Sequence, residues 1–219
     1  ILLGFFTYTL SVAFVPQIMP LKLEALGANN KEIAFIMLTI GQVFNITVCP
    51  MVSFQSDRFR SRRWGRRIPF ILFTMPMMCA AWLLFAFVDS EAAWLGPVVA
   101  RFVTVAPATL AVILIGLIML LYQFFLMYVA SVIYYIYNDT IPAQFLARFV
   151  GMIQVVATLA GTLFAFFIFP YGVEFFRPIL IGTVLIYGLG VGAMCLLLRE
   201  PRFPEPSAVE VQQSRRTAG

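Results

Sequence analysis

Residues 69–88, PFILFTMPMMCAAWLLFAFV, hold no charged side chain and a single hydroxyl, that of Thr74. About 20 consecutive apolar residues match the hydrocarbon thickness of a bilayer. Within lipid every backbone N–H and C=O must be paired inside the segment or in a closed barrel, so a run like this is read as a helix. The sequence has room for six such spans, predicted at residues 1–23, 31–54, 69–88, 108–138, 149–170 and 178–198. Overall, 62% of the residues are hydrophobic and 11% are charged. A soluble domain carries about a quarter charged residues, so the expected class is an all-α membrane protein with six transmembrane helices. Residues 199–219 are rich in proline and charge and read as a cytoplasmic disordered tail or linker. The chain opens on an apolar run at Ile1, with no charged region or cleavage site before it, which reads as a fragment and not as a signal peptide.

Between the second and third spans the polarity inverts. Residues 53–71, SFQSDRFRSRRWGRRIPFI, hold Arg58, Arg60, Arg62, Arg63, Arg66 and Arg67 with one acid, Asp57. Lys and Arg near span ends are retained on the cytoplasmic side. With both termini cytoplasmic, the 2–3 and 4–5 connections and the tail carry eleven of the fifteen basic residues. Lys22, Lys31, Arg101 and Arg177 fall on the outer side. The net charge of +5 therefore reports orientation and not nucleic-acid binding.

The spans are unequal in hydrogen-bonding groups. The fourth is richest, the first and second follow, the fifth has one sharp small and polar face, and the third and sixth are poorest. Polar groups in a bilayer point at protein or at a wet cavity. The expectation is that spans 1, 2, 4 and 5 surround a polar region, with 3 and 6 toward lipid. Candidate solute-binding residues are Tyr8, Gln17, Gln42, Asn45, Gln123, Tyr128, Ser131 and Gln154. The amides Gln42, Asn45, Gln123 and Gln154 weigh most, because a buried amide needs partners. Tyr135, Tyr137 and Asn138 read instead as members of an interfacial belt. Gly188 and Gly192 have the spacing of a close helix contact.

Several chemistries are excluded or weakened. The sequence has no histidine, which removes Ser–His hydrolysis, His-ligated zinc and His-ligated haem. Cys49, Cys79 and Cys195 lie within apolar runs without metal-ligand spacing and read as small hydrophobes. No catalytic residue, metal or cofactor is expected, and the chain does not read as an enzyme. No carboxylate lies near the middle of a span, where a proton relay or sodium site usually places one. An uncharged polar and aromatic cavity suits a neutral, hydroxyl-rich solute.

The arginine block resembles the signature of the major facilitator superfamily, Gly-x-x-x-Asp-Arg followed by Gly-Arg-Arg/Lys. Ser53 stands at the first glycine position, then come Asp57 and Arg58, then Gly65, Arg66 and Arg67. The longer form, with Ser56, Ser61, Pro69, Phe70 and Ile71, is most similar to the sucrose-transporter and glycoside–pentoside–hexuronide:cation symporter branch. Asp139, Pro142 and Arg148 look like that superfamily's 4–5 turn. The resemblance implies the amino-terminal six-helix half of a twelve-helix transporter working by alternating access. It implies a coupling cation, a proton or sodium, and a partner that is either the carboxy-terminal six-helix half or a second copy. The membrane implied is a plasma membrane or a bacterial inner membrane.

The expected function is thus secondary active transport, or facilitated diffusion, of a sugar or similar small polar solute. Asp57, Arg58, Gly65, Arg66, Arg67, Asp139 and Arg148 form the expected cytoplasmic gating motif, with Asp57 paired to Arg66, Arg67 or Arg148. The alternative is a non-transporting six-helix membrane protein, an oligomeric channel or a scaffold.

Overall fold

The computed structural model describes residues 2–58, 67–101 and 105–197. Among these, six helices are long and apolar enough to cross a membrane: α1 (Leu2–Ala25), α2 (Asn30–Val52), α3 (Ile68–Val99), α4 (Pro107–Tyr137), α5 (Gln144–Tyr171) and α6 (Phe176–Leu197). No strand occurs among the described residues. The chain is an all-α, multi-pass membrane protein by fold.

Local chemistry sets the interruptions and ends. Helix α1 is broken at Ala13, between Leu2–Val12 and Phe14–Ala25. Pro16 has no N–H for the Val12 carbonyl and its ring crowds that group, so the break sits one turn upstream of the proline. At the far end Gly27 takes φ 82°. There the Ala28 N–H donates to the Leu23 carbonyl (3.0 Å) and the Gly27 N–H to the Glu24 carbonyl (2.9 Å). This doubly bonded stop needs a left-handed residue, hence glycine. Helix α2 is then started by Asn29. The Asn29 Oδ1 accepts from the Lys31 and Glu32 N–H groups, and Glu32 Oε2 accepts from the Asn29 N–H. Such a reciprocal cap contributes about 0.5–2 kcal/mol. Helix α5 loosens into a π turn over Phe164–Ile168 and a 3₁₀ turn over Phe169–Tyr171. Pro170 removes the donor that would have continued the regular ladder.

Two span boundaries differ from expectation. Helix α3 does not stop near Val88 but continues to Val99, for 32 residues. At 1.5 Å per residue that is about 48 Å, longer than a hydrocarbon core of about 30 Å. Its extension is held by packing: Ala92 lies with Leu110 and Ala111 of α4 in a small second core. Helix α5 belongs to a helix that begins at Ala143, six residues before the expected start, with Pro142 as its cap. The tail 199–219 lies outside the described residues.

The main core is shared by all six helices. Helix α3 packs on α4 and α6, α1 on α6 and α5, and α2 on α4. Exchanging α1, α2 and α3 for α4, α5 and α6 leaves this set of contacts unchanged, which is the packing of a three-plus-three repeat. No repeat is legible in the residues themselves. Helices α2 and α5 are the least buried, and α1 and α3 the most. The antiparallel α1–α6 crossing depends on two glycines. A Cβ on Gly190 would overlap Thr7, and a Cβ on Gly4 would overlap Met194. The GxxxG pair does not make this contact: Gly188 faces open space, and the nearest atoms to a Cβ on Gly192 belong to Met75, at 3.8 Å.

Helices α3 and α6 are central to this packing on one side and lipid-like on the other. The exposed large side chains of α3 between Ile68 and Val88 are Leu72, Phe73, Met77, Leu83, Leu84 and Phe87. Their opposite faces bury Trp82, Phe85 and Tyr187.

Candidate functional site

The end of the bundle formed by the 1–2, 3–4 and 5–6 connections is tied by two cations. Lys22 Nζ lies 2.8 Å from Asp89 Oδ2 and 5.3 Å from the centroid of Phe176. Arg177 donates to Ser90 Oγ at 2.8 Å and lies over the Phe87 ring. These contacts join α1, α3 and α6.

At the opposite end, Arg67 is buried at the foot of α3. Its guanidinium carbon lies 4.5 Å from the ring centroid of Tyr135 on α4. Arg148 is exposed near the start of α5. Gly65 and Arg66 lie outside the described residues, and so do the side chains of Asp57, Arg58 and Asp139. Of the expected gating set, Arg67 is therefore the member with a defined contact. Its partner is an aromatic ring that the sequence suggested as an interfacial belt member.

The eight candidate solute-binding residues fall into three groups. Gln42 and Asn45 on α2 and Gln154 on α5 are exposed, near the middle of their helices. Gln17, Tyr128 and Ser131 are half-buried. Tyr8 and Gln123 are buried, each 9% exposed. Tyr8 turns into the bundle, its ring 6.0 Å from that of Phe5. Gln123 fills the α2–α4 crossing, where its Nε2 would lie 3.2 Å from a Cβ on Gly41. These two line the interior and not the open face.

On α4 the half-buried pair has defined neighbours. Tyr128 packs on Phe124 at 5.2 Å between ring centroids, and Phe124 meets Phe44 of α2. Ser131 Oγ lies 3.6 Å from Cys49 Sγ, a contact across α2 and α4 that the sequence did not suggest.

Helix α5 divides its outer surface by residue type. Gln144, Ala147, Gly151, Gln154, Thr158 and Thr162 recur at three- and four-residue spacing and share one stripe. Met152, Val155, Leu159 and Phe166 lie to one side of it, exposed and bulky. A Cβ at Gly151 or Gly161 would meet nothing within 4 Å. The small and polar stripe is thus open, and the apolar strip beside it suits lipid. Helix α2 presents Thr39, Gln42 and Asn45 among Phe35, Leu38 and Ile46 on its own open side.

The geometry offers amides and hydroxyls at mid-height, flanked by aromatic rings. Its chemistry is hydrogen bonding and stacking. Among the described residues no group of His, Cys, Asp and Glu is placed to hold a metal ion. No known protein family model, curated protein or solved structure matches this chain.

Proposed function

We propose that this chain is one six-helix half of a secondary transporter of the major facilitator type, carrying a sugar or another small neutral polar solute by alternating access. The observation that carries the reading is the exposure of Gln42, Asn45 and Gln154 near the middle of membrane-length helices. An amide left in hydrocarbon without a partner costs about 2–7 kcal/mol. Three such groups on the two least buried helices call for a polar neighbour. A second six-helix body, either further chain or a second copy, would cover α2 and α5 and leave a wet cavity between the halves. The three-plus-three packing supports the same reading, because carriers built from such repeats bind solute at the repeat interface near the midplane.

In this reading the Arg67 end is cytoplasmic, as are both termini, and the membrane is a plasma or bacterial inner membrane. The arginine block sets orientation, and Asp57 with Arg66 or Arg148 holds the cytoplasmic side closed. A coupling proton or sodium ion would be bound by the second half, since Glu24, Glu32 and Glu174 lie at the ends of helices or between them, and Asp89 and Glu91 lie in the later part of α3, at the level of Lys22 and Arg177. The test is uptake of a panel of radiolabelled mono- and disaccharides into vesicles bearing the protein with its second half. Saturable uptake of at least one sugar is expected. No uptake across the panel, with folding verified, would leave a non-transporting six-helix protein.

A further inference from the structure

Four polar groups on four helices are buried near mid-height without a hydrogen-bond partner in the protein: Ser11 Oγ of α1, Trp82 Nε1 of α3, Tyr122 OH of α4 and Tyr187 OH of α6. Each residue is 2% exposed or less. Their neighbourhood is common. The Trp82 ring lies 4.9 Å from that of Tyr187 and 6.2 Å from that of Tyr122. Helices α1 and α6 cross antiparallel with Gly4 against Met194 and Thr7 against Gly190. That register carries Ser11 to the level of Tyr187.

An indole N–H only donates, whereas a hydroxyl both donates and accepts. Within a membrane-spanning bundle no bulk solvent reaches these groups, and an orphaned polar atom is costly in so low a dielectric. Nearly all buried polar atoms in folded proteins are satisfied by protein or by ordered water. A buried water forms about three hydrogen bonds, and this cluster offers one obligate donor and three hydroxyls.

We propose that Ser11, Trp82, Tyr122 and Tyr187 hold a small cluster of bound water at the centre of the six-helix bundle. The water accepts from the Trp82 N–H and bridges the hydroxyls of Ser11, Tyr122 and Tyr187. It joins α1, α3, α4 and α6 through groups that do not touch one another by direct hydrogen bonds. The site is separate from the open face of α2 and α5 and does not depend on the transport reading.

Radiolytic hydroxyl labelling of the wild-type protein in bilayers tests the proposal directly, because radicals formed from bound water oxidise the side chains beside it. Oxidation of Trp82, Tyr122 or Tyr187 at a rate comparable with exposed Trp94 and Tyr171 is expected. Absence of label at all three overturns the proposal. Tyr122→Phe and Tyr187→Phe give a second readout. Removing a hydroxyl that water bridges lowers Tm, by about 2–4 °C for each substitution. Removing a dry, unpaired hydroxyl raises Tm or leaves it unchanged, and either result overturns the proposal.

Discussion

Arg67 stacks over Tyr135, its guanidinium carbon 4.5 Å from the ring centroid, and is 4% exposed. The pair fastens the start of α3 to the last turns of α4, next to the arginine-rich connection. A cation over an aromatic face contributes about 2 kcal/mol when desolvated. Tyr135→Phe keeps the ring and with it the stacking, and should therefore cost less than removal of the ring. Tyr135→Ala should cost about 2 kcal/mol or more, since it also removes packing. Arg67→Lys should fall between them, because a lysine cannot stack a planar fork on the ring. Equilibrium unfolding in a mild detergent, followed by circular dichroism, ranks the three. Equal stability of Tyr135→Ala and Tyr135→Phe would remove the stacking from this account.

The α1–α6 crossing gives a contrast between glycines within one helix. Gly190 lies against Thr7, whereas Gly188 has open space where a Cβ would go. Gly190→Ala should cost about 1–3 kcal/mol by overpacking, visible as a fall in Tm of roughly 2–4 °C per kcal/mol for a chain of this size. Gly188→Ala should be neutral or slightly stabilising, as alanine favours the helix by about 1 kcal/mol over glycine. Thermal unfolding of both variants decides it. A larger loss at Gly188 would mean that the crossing lies elsewhere.

The spans themselves were legible from length and apolarity alone, because the bilayer tolerates few alternatives. Their ends were less so. Asp89, Ser90 and Glu91 look like the close of the third span, yet Ala92 finds a partner surface in Leu110 and Ala111, and tertiary contact carries the helix to Val99. Residue type marked Gln42, Asn45 and Gln154 as unusual, but type does not tell which polar side chains turn inward. Tyr8 and Gln123 do, by the phase of their helices against α6 and α2. Tyr187 lies in a span poor in polar groups, where residue type alone gives it no weight. Its spacing of four from Thr183, on a helix face that is otherwise apolar, was the available signal, together with a tryptophan at the middle of the third span instead of at its end. Neither pattern shows from one helix alone, because the cluster exists only once α3 and α6 are packed together.

Lys22 and Asp89 form an ion pair at 2.8 Å, with side chains 17% and 42% exposed. A pair this open contributes about 0–1 kcal/mol and is screened by salt. A double-mutant cycle on Lys22→Ala and Asp89→Ala should give a coupling within that range at low ionic strength, with much of it lost in 1 M salt. A salt-independent coupling would place the pair in a drier setting than its exposure indicates.

The open amides separate stability from function. Gln42, Asn45 and Gln154 make few demands on the fold of this half, since each is exposed on a helix at the edge of the packing. Replacing each by leucine should therefore change unfolding by no more than about 0.5 kcal/mol, the range usual for substitutions on open surfaces. If these groups meet solute or the second half, the same substitutions leave polar partners unpaired, at about 1–3 kcal/mol each. That loss corresponds to roughly 5- to 150-fold in solute affinity or uptake, at about 1.4 kcal/mol per factor of ten. Gln123→Leu is the opposite case: it sits in the α2–α4 crossing and should lower stability whatever its effect on uptake. Measuring Tm and sugar uptake on the same four preparations distinguishes the two roles. Uptake unchanged in all three of the exposed-amide variants would remove these residues from the solute path and leave them as contacts to the second half outside that path.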